Sequence, residues 1–140
     1  MIQMKNINPT ETKAWQKLQN HYNVIKNTHL KTFFNDNNNR KNDFTLKFND
    51  FEFDFSKNRI NKETIDLLLE LANEVDLKSA MDAYFSGEKI NQTEKRAVLH
   101  TALRSQLNNA IFVDGENIMP SVKEALSKLE VFTNKVVSGS

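Results

Sequence analysis

The chain has 140 residues, 39% of them hydrophobic and 26% charged. This length supports about one domain, whose single core buries roughly two-thirds of the unfolded surface. The composition is that of a globular protein rather than a disordered one. Nineteen basic and 18 acidic residues give a net charge of +1, which leaves no field to draw the chain to nucleic acid or to an anionic membrane. With no cysteine, disulfide scaffolds, thiolate metal sites and thiol nucleophiles are excluded. No apolar run approaches a membrane span, and the start, MIQMKNINPTE, lacks the apolar centre of a secretory signal. A reducing, cytoplasmic compartment is the expectation.

In chain order, "NPTE" (8–11) predicts the first helix, with Asn8 as cap, Pro9 at the first helical position and Glu11 completing a capping box. Trp15, Leu18, Tyr22 and Ile25 form its apolar stripe. Leu30, Phe33 and Phe34 predict a short second turn or helix. "NDNNNRKND" (35–43) reads as a surface loop, because Asn and Asp side chains compete for backbone hydrogen bonds.

"FTLKFNDFEFDF" (44–55) alternates apolar and polar residues on either side of Asn49-Asp50. It predicts a two-residue type I′ hairpin that pairs Phe48 with Phe51, Leu46 with Phe53 and Phe44 with Phe55. Its aromatic face is expected to pack against helices around Leu68 and Val98.

Asn61 then caps a helix with Ile65, Leu68, Leu69, Ala72 and Val75 inward. Asp76 caps a shorter one with Leu77, Ala80, Met81, Tyr84 and Phe85 inward, ended by Ser86-Gly87. Asn91 and Glu94 form a further capping box for a helix running to about Leu107. "AIFVDGENI" (110–118) predicts a strand, an Asp114-Gly115 turn and a return. Pro120 opens a last helix carrying Val122, Leu126, Leu129, Phe132 or Thr133, and Val136 on one side. The sum is an α+β fold, predominantly helical, with about five helices and two short β-hairpins.

Chemistry is sparse. His21 and His29 lie about two helical turns apart with no carboxylates to complete a metal site, and both are expected at the surface. Three glycines cannot build a phosphate loop. "NQT" (91–93) matches a glycosylation acceptor by chance, there being no secretory signal. At near-zero net charge, the hairpin phenylalanines read as core rather than as a base-stacking platform. Arg96, His100 and Arg104, spaced by four, share one face of the predicted 91–107 helix. Such a stripe suits an anion, or carboxylates across an interface. It is also the solvated side of a helix whose apolar side is Val98, Leu99, Ala102 and Leu103, and a structural, ion-pairing face is the reading adopted. No set of nucleophile, base and orienting group can be assembled.

Four blocks in register carry a resemblance over nearly the whole chain. "GEKINQTEKRAVLHTALR" (87–104) closely resembles a stretch of the glucose-6-phosphate isomerases, also called phosphoglucose isomerases. "NINPTETKAWQKLQNHY" (6–22) is similar to that family's amino-terminal helix. "DFSKNRINKETIDLL" (54–68) is similar to its Asp-Tyr-Ser-Lys-Asn segment, with Phe55 where tyrosine is usual. "IFVDGENIMPSVKEALSKL" (111–129) is similar to the strand, turn and helix that follow.

The resemblance implies that residues 1–140 are the amino-terminal segment of a larger sugar-isomerase (SIS-type α/β) enzyme. It implies a parent activity in glycolysis and gluconeogenesis, the interconversion of glucose 6-phosphate and fructose 6-phosphate. There a carboxylate base moves a proton between C2 and C1 through an enediolate, and a cation stabilises the oxyanion. Neither a metal nor a redox cofactor is required.

The family's Trp-Lys-Gly segment, glycine-rich strand, phosphate loop and catalytic glutamate, histidine, arginine and lysine all fall beyond Ser140. No catalytic residue is therefore assigned, and the fragment alone is expected to be inactive. Its expected partners are the remainder of the isomerase chain and, in the intact enzyme, a second subunit of a homodimer. Sugar phosphate would bind only with the missing part. The contrasting reading is a stand-alone helical interaction module without catalytic activity.

Overall fold

A computed structural model of the protein describes residues 6–105 and 109–139. Its described residues form seven α-helices and two separate two-stranded antiparallel sheets. The expected α+β, predominantly helical class holds, and two of the seven helices are single turns. The chain divides into two compact units at Val75/Asp76, with Asn6–Val75 forming the first.

In the first unit, "NPTE" closes a 3-10 turn, Pro9–Glu11, rather than opening the α-helix. The Asn8 side chain accepts from the Thr10 amide and donates to Glu11 Oε1. Helix α1, Lys13–Ile25, has its own cap in Thr12, whose Oγ1 accepts from the Trp15 amide at 3.1 Å. It packs against α4, Lys62–Glu74.

The two helices run antiparallel, tied by polar contacts along their length. The Lys13 and Ala14 amides donate to the Glu74 carboxylate at 3.0 and 2.9 Å. Lys17 pairs with Glu70. His21 meets Thr64 and Glu63. Ala14 has no exposed surface, so a small side chain lets the backbones approach at the α1 amino end. The inward stripe expected on α1 is only partly covered, since Tyr22 is exposed. On α4, Leu68 and Leu69 are exposed while Ile65, Leu67 and Leu71 are half-buried. The apolar stripe exceeds what a single partner helix can cover.

Between them lie α2, Leu30–Asp36, and the single turn α3, Arg40–Asp43. The expected Asn-rich loop is thus partly helical. The hairpin β1, Thr45–Phe48, and β2, Phe51–Asp54, has the expected register, with Leu46 opposite Phe53 and Phe48 opposite Phe51. Phe44 and Phe55 continue it, the Phe55 amide donating to the Phe44 carbonyl at 2.9 Å. At the turn only Asn49 takes positive φ, +50°; a type I′ turn would need it at Asp50 as well. Within this unit the packing expected against Leu68 is not formed, because Leu46, Phe48, Phe51 and Phe53 are all exposed, as is Leu68.

The second unit starts at Asp76 in the left-handed conformation. Asp76 occupies the cap position of α5, Leu77–Ser86, but its carboxylate accepts from the Ser79 hydroxyl rather than from a backbone amide. Gly87 ends α5 at φ +88°. The single turn α6, His100–Arg104, follows. Then come β3, Phe112–Val113, and β4, Glu116–Asn117, joined by a turn with both Asp114 and Gly115 at positive φ, the requirement of type I′. Helix α7, Met119–Ser138, has Pro120 in its first turn. Its apolar stripe is real but uncovered, since Leu126, Leu129, Phe132 and Val136 are exposed.

Candidate functional site

The stretch from Gly87 to Arg104 holds the sequence's candidate residues, and its local structure differs from the expected single helix. Asn91 Oδ1 accepts from the Glu94 amide at 3.2 Å, and Asn91 Nδ2 donates to Glu94 Oε2 at 3.3 Å. These capping contacts form, yet no helix follows them. The Thr93 hydroxyl also bonds Asn91 Oδ1, Lys95 turns to φ +54°, and Asn91 and Arg96 exchange two backbone hydrogen bonds of 3.1 Å each. Asn and Thr side chains thus stabilise a closed turn in place of a helical start.

The helix begins only at His100. Arg96 therefore does not share a helical face with His100 and Arg104, which corrects the expected three-residue stripe. It is exposed on the preceding turn, 3.9 Å from Glu94 Oε2. His100 and Arg104 do share α6, and Arg104 Nη1 donates to the His100 carbonyl at 3.3 Å.

His100 and Arg104 line an open cleft of about 650 Å³ whose other walls include Tyr84, Phe85 and Ile111. Gly87 sets part of its frame. A Cβ there would lie 2.9 Å from the Phe112 carbonyl oxygen and 3.0 Å from Ile111 Cγ2, so the end of α5 meets the strand only because this residue has no side chain. The cleft offers one imidazole, one guanidinium and aromatic walls. Its described lining has no carboxylate, and its titratable groups are the His100 imidazole, the Arg104 guanidinium and the Tyr84 phenol. Among the described residues no three His, Cys, Asp or Glu side chains gather as a metal site.

Two polar centres in the first unit were not foreseen. Arg40, read as part of a surface loop, is 2% exposed. Its Nε donates to the Ser56 carbonyl at 2.7 Å, and its Nη2 to the Asn58 and Ile60 carbonyls at 2.8 and 2.9 Å. Its guanidinium lies 4.4 Å from the Phe44 ring centroid, with Phe33 at 5.2 Å and Phe34 at 5.4 Å. Burial lowers its pKa from the ordinary value, but a guanidinium stays charged at any biological pH. One side chain thus ties three carbonyls of the loop between the hairpin and α4 to an aromatic cluster. The available signal was an arginine flanked by Phe33, Phe34 and Phe44, the last four residues on.

His21, expected at the surface, is buried. Its Nε2 lies 2.7 Å from Thr64 Oγ1 and its Nδ1 3.3 Å from Glu63 Oε2. Thr64 also completes a reciprocal capping box with Asn61. His29 remains exposed and caps α2, its Nδ1 accepting from the Lys31 amide. Both centres hold secondary structure in place.

The described residues therefore define a helical α+β segment with structural polar centres and no assembled catalytic set. Comparison with known proteins places that segment. The family model described as phosphoglucose isomerase matches residues 54–140, and the chain belongs to that family. A protein named glucose-6-phosphate isomerase from Christiangramia forsetii is 50% identical over 137 residues, which cover 98% of this chain and 25% of that protein. The chain thus spans about a quarter of the length of this curated relative.

Proposed function

We propose that this chain is the amino-terminal segment of a glucose-6-phosphate isomerase, its sugar- and phosphate-binding core lying in sequence outside these 140 residues. The observation that carries the reading is the 50% identity sustained over 98% of the chain to a protein of that name. The segment's part is structural. It contributes packed helices and hairpins, while the remainder of the polypeptide contributes the carboxylate base and the phosphate pocket that the reaction requires. Arg96, from its turn, and His100 and Arg104, from α6, form polar and ionic contacts with carboxylates of the remainder.

The whole protein interconverts glucose 6-phosphate and fructose 6-phosphate through an enediolate, as a homodimer in the cytoplasm. No described helix is long and apolar enough to cross a membrane.

The test uses a joined polypeptide in which residues 1–140 are followed by the remaining sequence of the C. forsetii relative. Incubated with glucose 6-phosphate in heavy water, it should yield fructose 6-phosphate with deuterium at C1. A folded joined protein that exchanges no proton and forms no ketose contradicts the reading.

A further inference from the structure

We propose that the apolar face of the β1–β2 hairpin is a docking surface for the part of the isomerase polypeptide outside residues 1–140, an inference that rests on the reading above. Leu46, Phe48, Phe51 and Phe53 are 65%, 74%, 77% and 67% exposed. Their registers, Leu46 opposite Phe53 and Phe48 opposite Phe51, put all four on one face. The opposite face is polar, with Lys47 and Glu52 paired at 3.2 Å.

The apolar strip is continuous with the core. Phe44 is buried and meets Phe55 edge-on at 5.6 Å, and Phe53 lies 5.7 Å from Phe55. From that base the strip runs outward to the turn. Four large side chains present on the order of 500 Å² of apolar surface, about the largest patch an ordinary monomer shows. A two-stranded hairpin is itself marginal without a covering layer.

The strip contains no charge, so nothing in it selects a charged partner. It has the composition of a permanent interface, which resembles a divided core. The chain makes up a quarter of the relative's length. The remaining three quarters would be tethered to the hairpin, at an effective concentration that a second copy or a separate protein does not match.

Because the chain has no cysteine, single thiols report on each face. Phe51→Cys and, separately, Lys47→Cys are placed in the 140-residue chain and in the joined polypeptide. Reaction with a thiol reagent is followed at that peptide by mass spectrometry. In the 140-residue chain both should react quickly. In the joined polypeptide the thiol of Phe51→Cys should slow by about 100-fold or more, while that of Lys47→Cys stays reactive. Equal reactivity of Phe51→Cys in both proteins overturns the proposal. So does protection within the 140-residue chain that rises with its concentration, which would make a second copy the occupant. Phe53→Cys repeats the measurement where Phe51→Cys disturbs the hairpin. Sugar-phosphate interconversion by the joined polypeptide without these substitutions reports separately on the functional reading.

Discussion

The guanidinium of Arg40 stacks over the ring of Phe44, 4.4 Å from its centroid. The same turn of chain closes through the Phe44 amide, which donates to the Arg40 carbonyl at 3.0 Å. The aromatic covers one face of the charge, and the carbonyls of Ser56, Asn58 and Ile60 accept hydrogen bonds from its edge. A lysine keeps the charge but cannot direct two nitrogens along a rigid fork. Arg40→Lys is expected to lose about 2 kcal/mol of stability, and Arg40→Met about 3 kcal/mol, because buried carbonyls are left unpaired. Urea unfolding measures both, and a loss below about 0.5 kcal/mol for Arg40→Met would mean the cluster does not hold the loop.

Glu74 governs an acid-side loss of stability. Backbone hydrogen bonds from Ala14 and then Lys13 lower its pKa below the usual 4.5, and its charge sits at the positive end of α1. A carboxyl depressed in the folded state stabilises the fold above its unfolded pKa, and that stability disappears as pH falls through the lower folded value. Glu74→Gln should therefore lower the melting temperature at pH 7, with the difference shrinking as pH falls below 4.5. A difference that is constant across this range would show that the charged form is not favoured by folding.

Thr64 is shared between the cap of α4 and the buried histidine of α1. Its hydroxyl donates to Asn61 Oδ1 at 2.9 Å, accepts from the Asn61 amide at 3.1 Å, and lies 2.7 Å from His21 Nε2. Thr64→Val preserves the shape and removes all three contacts, for an expected loss of about 1–3 kcal/mol. Thr64→Ser should recover most of it. Equal losses for Val and Ser would assign the effect to packing of the methyl group.

Gly87→Ala combines a left-handed φ of +88° with a 2.9 Å approach to the Phe112 carbonyl. The expected cost is about 2 kcal/mol or more. Hydrogen exchange should place the loosening in α5 and β3, and unchanged protection there would contradict the close approach.

What was legible in the sequence was local. Asn61 as a helix cap, the hairpin register, the Asp114-Gly115 turn and the glycine ending α5 each depend on residues within a few positions of one another. The Asn91 to Glu94 box was legible too, but the same side-chain bonds serve a closed turn as well as a helix start. Lys95 at positive φ decided for the turn.

Longer-range features were hidden. The carbonyls that hold Arg40 lie 16 to 20 residues away, and His21 meets Thr64 across 43 residues. Periodicity located the apolar stripes of α4, α7 and the hairpin, but a stripe shows only which side chains seek cover. Leu68, Phe132 and Phe51 remain exposed, as side chains whose cover lies in the remainder of the protein would.

In the proposed reading these residues are about a quarter of a sugar-phosphate isomerase and carry none of its catalytic groups. The most direct measurement compares glucose 6-phosphate interconversion by the 140-residue chain and by the joined polypeptide under the same conditions. The joined polypeptide should turn over, and the chain alone should show nothing above the uncatalysed rate. Turnover by the chain alone, or a folded joined polypeptide with no turnover, would contradict it.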